Sequence, residues 1–239
     1  MSTPVICAYA RTPFGRFRGA LANYTAVELG TLAVEGVLER AGIDPHSGII
    51  DQVYMGQVLQ AGAGQAPARQ VAIAAGLPYS TPCTTINKVC GSSLKAVMVA
   101  ATEIMAGKSN VVIAGGMESM SQAPHFSRGA RRGDEISFAE LTGILSHDGL
   151  KDAYDGSMMG ITGETIAKES DISRSESDKY ALRSHTLSDS AWEKGWLEEE
   201  IVSIDELERD EGIRIDTSIE DLAGPVSYTH LTLPTIYSV

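Results

Sequence analysis

The residues best suited to chemistry in this sequence lie between Thr84 and Gly107, in the run TTINKVCGSSLKAVMVAATEIMAG. A strand-like stretch ends at Asn87, a tight connection follows, and Cys90 sits where a helix is expected to begin. Gly91, Ser92 and Ser93 would keep the first turn small enough for a substrate to approach the backbone. The unpaired N–H groups and the dipole of a helix start favour an anion, whether a cysteine thiolate or the oxyanion of an acyl intermediate. A cysteine placed there is a competent nucleophile. The competing reading is a buried structural cysteine, the commoner fate of this residue type. Spacing alone leaves both open.

Little else in the chain proposes chemistry. His46, His147 and His185 have no partner at metal-ligand spacing, and the sequence holds no HxxxH or CxxC pair. His125, within MSQAPH, reads as a structural residue of a loop region. Gly62 and Gly64 lack the third glycine of a dinucleotide-binding loop and do not open from a strand into a helix start.

The elements that must position Cys90 alternate in type. Val5 to Tyr9 is a β-rich run ended by Arg11-Thr12-Pro13 and is expected to be a buried first strand. From Thr25 to Ala41 the apolar positions Val27, Leu29, Leu32, Val34, Val37 and Leu38 fit a helix. Thr25 and Glu28 would form its capping box, and Gly42 its stop. Ile49 to Leu59 predicts a second strand, Ala68 to Ala75 a helix, Cys83 to Ile86 a third strand, Leu94 to Ala106 a helix and Val111 to Ala114 a fourth strand. The Leu94 helix is apolar nearly all round, with only Lys95 and Glu103 charged, so it is expected between layers rather than on the surface. Strands alternating with helices predict an α/β fold with a parallel or mixed sheet. After Met117 the pattern changes: Gln122 to Gly149 reads as extended loop, followed by helices over Thr162–Glu169 and Ser175–Lys194, the second capped by Ser175 with Asp178.

Composition bounds the function. The chain has 239 residues, is 43% hydrophobic and carries a net charge of −12. Acidity and 6% aromatics argue against a nucleic-acid partner, which needs a basic footprint and stacking platforms. Eleven acids against Arg209 and Arg214 between Glu198 and Asp221 give that stretch −9 and leave −3 for the rest, so it is expected to be a solvated surface. Cys7, Cys83 and Cys90 form no paired framework, which fits a reducing, cytoplasmic compartment. Pro4 to Ala10 is too short and lacks the basic flank of a signal peptide, and no apolar run is long enough to span a bilayer.

The nucleophile segment NKVCGSSLKAV, followed by VVIAGGMESMSQAPH (Val111 to His125), closely resembles the thiolase family of acyl-CoA C-acyltransferases. So do RTPFGRFRGALA (Arg11 to Ala22) and MGQVLQAGAGQAPARQVAIAAGLP (Met55 to Pro78), and the resemblance runs from about Thr3 to Gly224. It implies a layered αβαβα fold of two similar halves, with a loop domain inserted after the fourth strand. On this chain that gives a first half-domain over 1–118 and a CoA-contacting loop domain over 119–224. It also implies that Cys90 carries the acyl group as a thioester, with acyl-CoA and CoA as substrates and no further cofactor. Leu150, Met158 and Met159, in HDGLKDAYDGSMMG, fall on positions that line the pantetheine tunnel, and Arg214 on one that contacts the CoA nucleotide. On composition alone the first three could equally be core fillers, and Arg214 a counter-charge in the acidic run. Methionine at 158 looks more like the degradative, broader-chain members than the acetoacetyl-specific ones, which carry histidine there. The stretch Ala61 to Ala68 and the loop from Gln122 to Gly143 resemble segments that build homodimers and homotetramers.

The family also uses a histidine base, a second cysteine and an asparagine, in motifs of the type NEAFA, HPIGASG and CxGGGxG, and none of these occurs in the sequence. The resemblance breaks near Pro225, where PVSYTHLTLPTIYSV has no family counterpart, so 225–239 is expected to be a non-native tail. The sequence is therefore expected to be an amino-terminal fragment, inactive and poorly folded by itself. Two rivals are a non-catalytic acyl-CoA-binding or scaffolding fragment and a ketoacyl-synthase relative. The latter usually shows a TACSSS-like nucleophile loop, and NKVCGSS together with GGMESMS decides against it.

Overall fold

A computed structural model describes residues 3–129 and 132–224, so the expected non-native tail over 225–239 lies outside the described residues. These residues form two compact units, one of 3–12 with 23–149 and one of 13–22 with 150–224.

The first unit is built on a three-stranded parallel sheet of β1 (Gln52–Gly56), β2 (Cys83–Ile86) and β3 (Val112–Gly116), in the order β2-β1-β3. Its helices are α1 (Ala26–Ala41), α2 (Pro67–Ala74) and α3 (Ser92–Met105). Successive residues of β1 point to opposite faces. Val53 and Met55 join Val34 and Leu38 of α1 and Val71 and Ala72 of α2 in one core. Tyr54 packs with Ala96 and Ala100 of α3 in another. The central strand is thus covered on both sides, as the alternating strand and helix signals require.

Local signals account for the ends of these elements. The Thr25 Oγ1 accepts the Glu28 N–H at 3.2 Å while Glu28 Oε2 accepts the Thr25 N–H at 2.8 Å, and Gly42 takes the left-handed conformation that closes α1. Asp51 fixes the entry of β3, its Oδ2 accepting the N–H groups of Asn110 at 2.6 Å and Val111 at 3.1 Å. Those two bonds, Asn110 first, hold its carboxyl below the ordinary value. Because the folded value is the lower one, the stabilisation is complete above the unfolded pKa of about 3.9 and is lost as the pH falls through it towards the folded value. Thermal midpoints of the unsubstituted protein and of Asp51→Asn should therefore differ at neutral pH and draw together as the pH falls below about 3.9; a gap that stays unchanged in acid would contradict this role.

Two expectations for this unit need correction. Val5 to Tyr9 forms no strand, and Val5 and Ile6 are 73% and 81% exposed. Its β-rich composition favours extended backbone, but a strand exists only where a neighbouring ladder accepts it, and no described strand pairs with this segment. The second concerns α3, which the described residues cover on one face only. Ala96 and Ala100 are small enough to let it sit close on the sheet, whereas Leu94 at 67% and Met98 at 53% exposure, with Val97 and Met105, lie on the open side. The region after β3 is mostly irregular, as expected, with a short antiparallel pair of β4 (His125–Phe126) and β5 (Thr142–Gly143) and a π-helical turn over Leu145–Leu150.

The second unit holds α4 (Met159–Glu169), α5 (Arg174–Glu193) and α6 (Ile219–Ala223). The cap of α5 differs from the expected one. Ser173 and Glu176 form the capping box, while Asp178 is buried and receives the Arg174 Nε–H at 2.8 Å. Arg174 also donates to the Leu222 carbonyl at the end of α6, at 2.5 Å. The acidic run is not simply a solvated face either. Glu211 Oε2 accepts the Arg16 N–H at 2.7 Å, and Asp210 Oδ1 the Phe14 N–H at 2.8 Å, so two of its carboxylates order the segment 13–22. Arg209 pairs with Asp189 of α5. No helix among the described residues is long and apolar enough to cross a membrane.

Candidate functional site

In an open parallel sheet the crevice for chemistry lies beyond the carboxyl ends of the strands, where consecutive connections leave in opposite directions. Here β1 has β2 on one side and β3 on the other, and the connection from β2 into α3 carries Cys90 past that end. Cys90 is exposed and lies just before Gly91, the N-cap of α3, so it stands at the mouth of the helix rather than in its first turn.

The loop holding it is tied at nearly every step. Val89 takes a left-handed backbone, φ 48°, which is a strained conformation for a β-branched side chain. The Val89 N–H donates to Asn87 Oδ1 at 3.0 Å, and its carbonyl accepts the Ser92 hydroxyl at 2.6 Å and the Ser92 N–H at 3.1 Å. The Ser92 Oγ in turn accepts the Lys88 N–H at 2.8 Å. With both backbone groups of Val89 engaged, the turn is over-determined, and the direction of the following Cys90 is set by it.

Two glycines let α3 come this close. Gly56 ends β1 and Gly116 ends β3, and they are register partners. A Cβ on Gly56 would stand 2.6 Å from the Ser93 backbone nitrogen and 2.7 Å from the Ser92 carbonyl carbon; a Cβ on Gly116 would collide with the Ser93 side chain. The amino end of α3 therefore rests directly on the strand ends, its dipole directed at the crevice.

The arrangement presents an exposed thiol with small neighbours at a helix start, which suits nucleophilic attack on a carbonyl and stabilisation of the resulting anion. The other cysteines differ. Burial pushes the Cys83 thiol up, the nearby Arg69 guanidinium opposing this in part, and its Sγ lies 3.3 Å from the Thr81 carbonyl. Cys7 is exposed, in the extended segment before Arg11, and has no helix start beside it.

The remaining predicted residues belong to the second unit. An antiparallel bridge between Lys151 and Met158 returns the chain, so that half-buried Leu150 comes back alongside Met158 and Met159. Met158 is the extended N-cap of α4 and Met159 its first residue, 39% exposed. Arg214 is exposed, and its backbone N–H, not its guanidinium, reaches His185 Nδ1 at 3.2 Å. A further concavity of about 310 Å³ in the loop region is lined by Arg128, Arg132, Asp134, Glu140 and His147. It contains no cysteine, and Arg132 is neutralised by Asp134 at 2.9 Å. No cluster of metal-ligating side chains occurs among the described residues.

Sequence reasoning did not single out Asn87, Gly56, Gly116 or Glu118. An asparagine just after a strand and ahead of the nucleophile was the available signal for Asn87, since this residue type caps its own backbone two residues on.

Comparison with known proteins bears directly on this site. The family described as thiolase, N-terminal domain, matches residues 4–227. The acetyl-CoA acetyltransferase of Cupriavidus necator is 49% identical over 204 residues, covering 85% of this chain and 51% of that protein. A mitochondrial acetyl-CoA acetyltransferase of Danio rerio is 46% identical over 200 residues, 84% of this chain and 47% of its own length. A probable acetyl-CoA acetyltransferase of Escherichia coli is 45% identical over 231 residues, covering 93% and 58% respectively. The chain thus spans about half the length of the curated relatives it matches.

Proposed function

Given that the chain belongs to the thiolase family, whose N-terminal domain it contains, we propose that it is part of an acyl-CoA C-acyltransferase in which Cys90 is the acyl carrier. The observation that carries this reading is the exposed Cys90 between the strained Val89 turn and the start of α3. Its thiolate attacks the thioester carbonyl of an acyl-CoA, the carbon–sulfur bond to CoA breaks, and CoA leaves as a thiol once protonated. A second acyl-CoA, which loses an α-proton to match the one that CoA gained, then attacks the Cys90 thioester as its α-carbanion; the carbon–sulfur bond to Cys90 breaks, forming a 3-ketoacyl-CoA and returning the thiolate. The dipole of α3 is suited to favour the carbonyl oxygen as charge develops on it, while the Gly91 and Ser92 N–H groups are themselves taken by the Lys88 and Val89 carbonyls. Leu150, Met158 and Met159 would contact the pantetheine arm and Arg214 the nucleotide of CoA. The half-domain over 1–118 would supply the nucleophile and 119–224 the CoA contacts. The layered family fold accounts for the apolar outer face of α3, which in such a fold has a further layer to pack on. The small-residue stretch Ala61 to Ala68 and the loop 122–143 would serve subunit contacts in a homodimer or homotetramer, and the three thiols suit a cytoplasmic setting.

Limiting iodoacetamide at neutral pH on the intact protein, that is, the full-length protein that contains this chain, should label Cys90 ahead of Cys83, and acetyl-CoA should protect Cys90 while leaving Cys7 as reactive as before. The same preparation should scatter light as a dimer or tetramer. Equal labelling of Cys90 with and without acetyl-CoA would overturn the acyl-carrier assignment, and a monomer at micromolar concentration would overturn the assembly.

A further inference from the structure

We infer that Glu118 is a positioning residue for the Cys90 loop, acting through the segment 57–59 and Asn87; the inference rests on the acyl-transfer reading above and deepens it. Glu118 follows β3 and turns its carboxylate onto the chain leaving β1. Its Oε2 accepts the N–H groups of Val58 at 2.9 Å and Leu59 at 3.2 Å. The Val58 carbonyl, held in place by those bonds, accepts the Asn87 Nδ2–H at 3.3 Å. The other end of the Asn87 amide accepts the Val89 N–H at 3.0 Å and so supports the left-handed residue directly before Cys90. Four hydrogen bonds thus connect the carboxylate to the turn that aims the thiol.

Two features separate this from an ordinary structural contact. The second oxygen, Oε1, is buried with no hydrogen-bond partner among the described residues. A carboxylate that leaves half of its acceptor capacity unused costs stability, so a neutral acceptor would serve the fold better. What a charged acceptor adds is strength in its bonds to the two N–H groups, which hold the segment more firmly. The second feature is that the strained Val89 persists only if its surroundings over-determine it, and among the described residues Asn87 and Ser92 are the two side chains that bond its backbone.

The test compares Glu118→Ala, Glu118→Gln and Asn87→Ala in the intact protein. Each is read by the alkylation rate of Cys90, with Cys83 as internal reference, and by kcat and KM per active site titrated with acetyl-CoA. Displacing the thiol by a fraction of an ångström should slow Cys90 alkylation and kcat by about tenfold to a hundredfold in Glu118→Ala, with KM nearly unchanged. Glu118→Gln keeps one carbonyl oxygen for the two N–H groups and should recover much of that loss. Asn87→Ala, at an exposed side chain, should reproduce the Glu118→Ala defect, and the double variant should be little worse than either alone. A Glu118→Ala protein with fewer active sites but wild-type kcat and alkylation rate would overturn the proposal, as would Asn87→Ala with wild-type values if Glu118→Ala does not fold. A wild type that takes up no acetyl group would sink the acyl-transfer reading instead, while the alkylation comparison, which needs no acyl-CoA, still decides the relay.

Discussion

Cys90→Ser should lower acyl transfer by roughly four orders of magnitude or more, the loss found when a covalent nucleophile is removed from a unit that acts together. Serine fits the same space, and the Asn87–Val89–Ser92 bonding does not involve the side chain at 90, so the loop should keep its shape. What changes is the attacking atom. A hydroxyl is almost wholly protonated at neutral pH and needs a strong base, whereas a thiol is partly ionised and intrinsically far more nucleophilic. Binding of CoA, which the proposal assigns to the second unit, should be nearly unaffected, so the variant should lose kcat rather than affinity. Steady-state thiolysis of a 3-ketoacyl-CoA measures the first quantity and calorimetry with CoA the second. Activity within tenfold of wild type would mean that Cys90 is not the nucleophile.

A second large effect is expected from one methyl group. Gly56→Ala places a Cβ within 2.7 Å of backbone atoms of Ser92 and Ser93, and backbone at a helix start cannot rotate aside as a side chain can. Either β1 or α3 must move, at a cost of about 2–3 kcal/mol, typical of overpacking a close-packed core. The same shift displaces the turn ahead of Cys90, so kcat should fall with stability. Gly163→Ala is the control: it lies inside α4 with nothing within 4 Å of the new atom. There alanine should stabilise by about 0.5–1 kcal/mol through the helix preference of alanine over glycine. Denaturant midpoints of the two variants should move in opposite directions. A Gly56→Ala midpoint equal to wild type would mean that α3 does not rest on the strand ends.

These two residues illustrate what could be read from the chain and what could not. Cys90 announced itself through residue type and through the strand–turn–helix pattern around it, both local in sequence. The Thr25 capping box, the Gly42 stop and the bounds of β2 were legible for the same reason, since each depends on atoms a few residues apart. Gly56 was not, because its requirement comes from the pairing with Gly116 and from the start of α3, which folding brings together. Glu118 was invisible likewise: a carboxylate reaching Val58 across the strand ends leaves no periodic trace. Val5 to Tyr9 failed in the opposite direction. Composition gave it strand character, but a ladder is a property of two segments, and this one has no described partner. The α5 cap failed by two residues, because Asp178 looked like a reciprocal cap but is drawn inward by Arg174. Asp210 and Glu211 looked like ordinary members of an acidic surface, and only the three-dimensional structure shows them ordering the segment 13–22.

The most direct test of the account is to incubate the intact protein with acetyl-CoA, quench in acid, digest, and weigh the peptide that contains Cys90. This peptide should gain the mass of one acetyl group, the peptides of Cys7 and Cys83 should not, and free CoA added before the quench should remove the label. An unmodified Cys90 peptide, or acetylation spread evenly over the three cysteines, would contradict it.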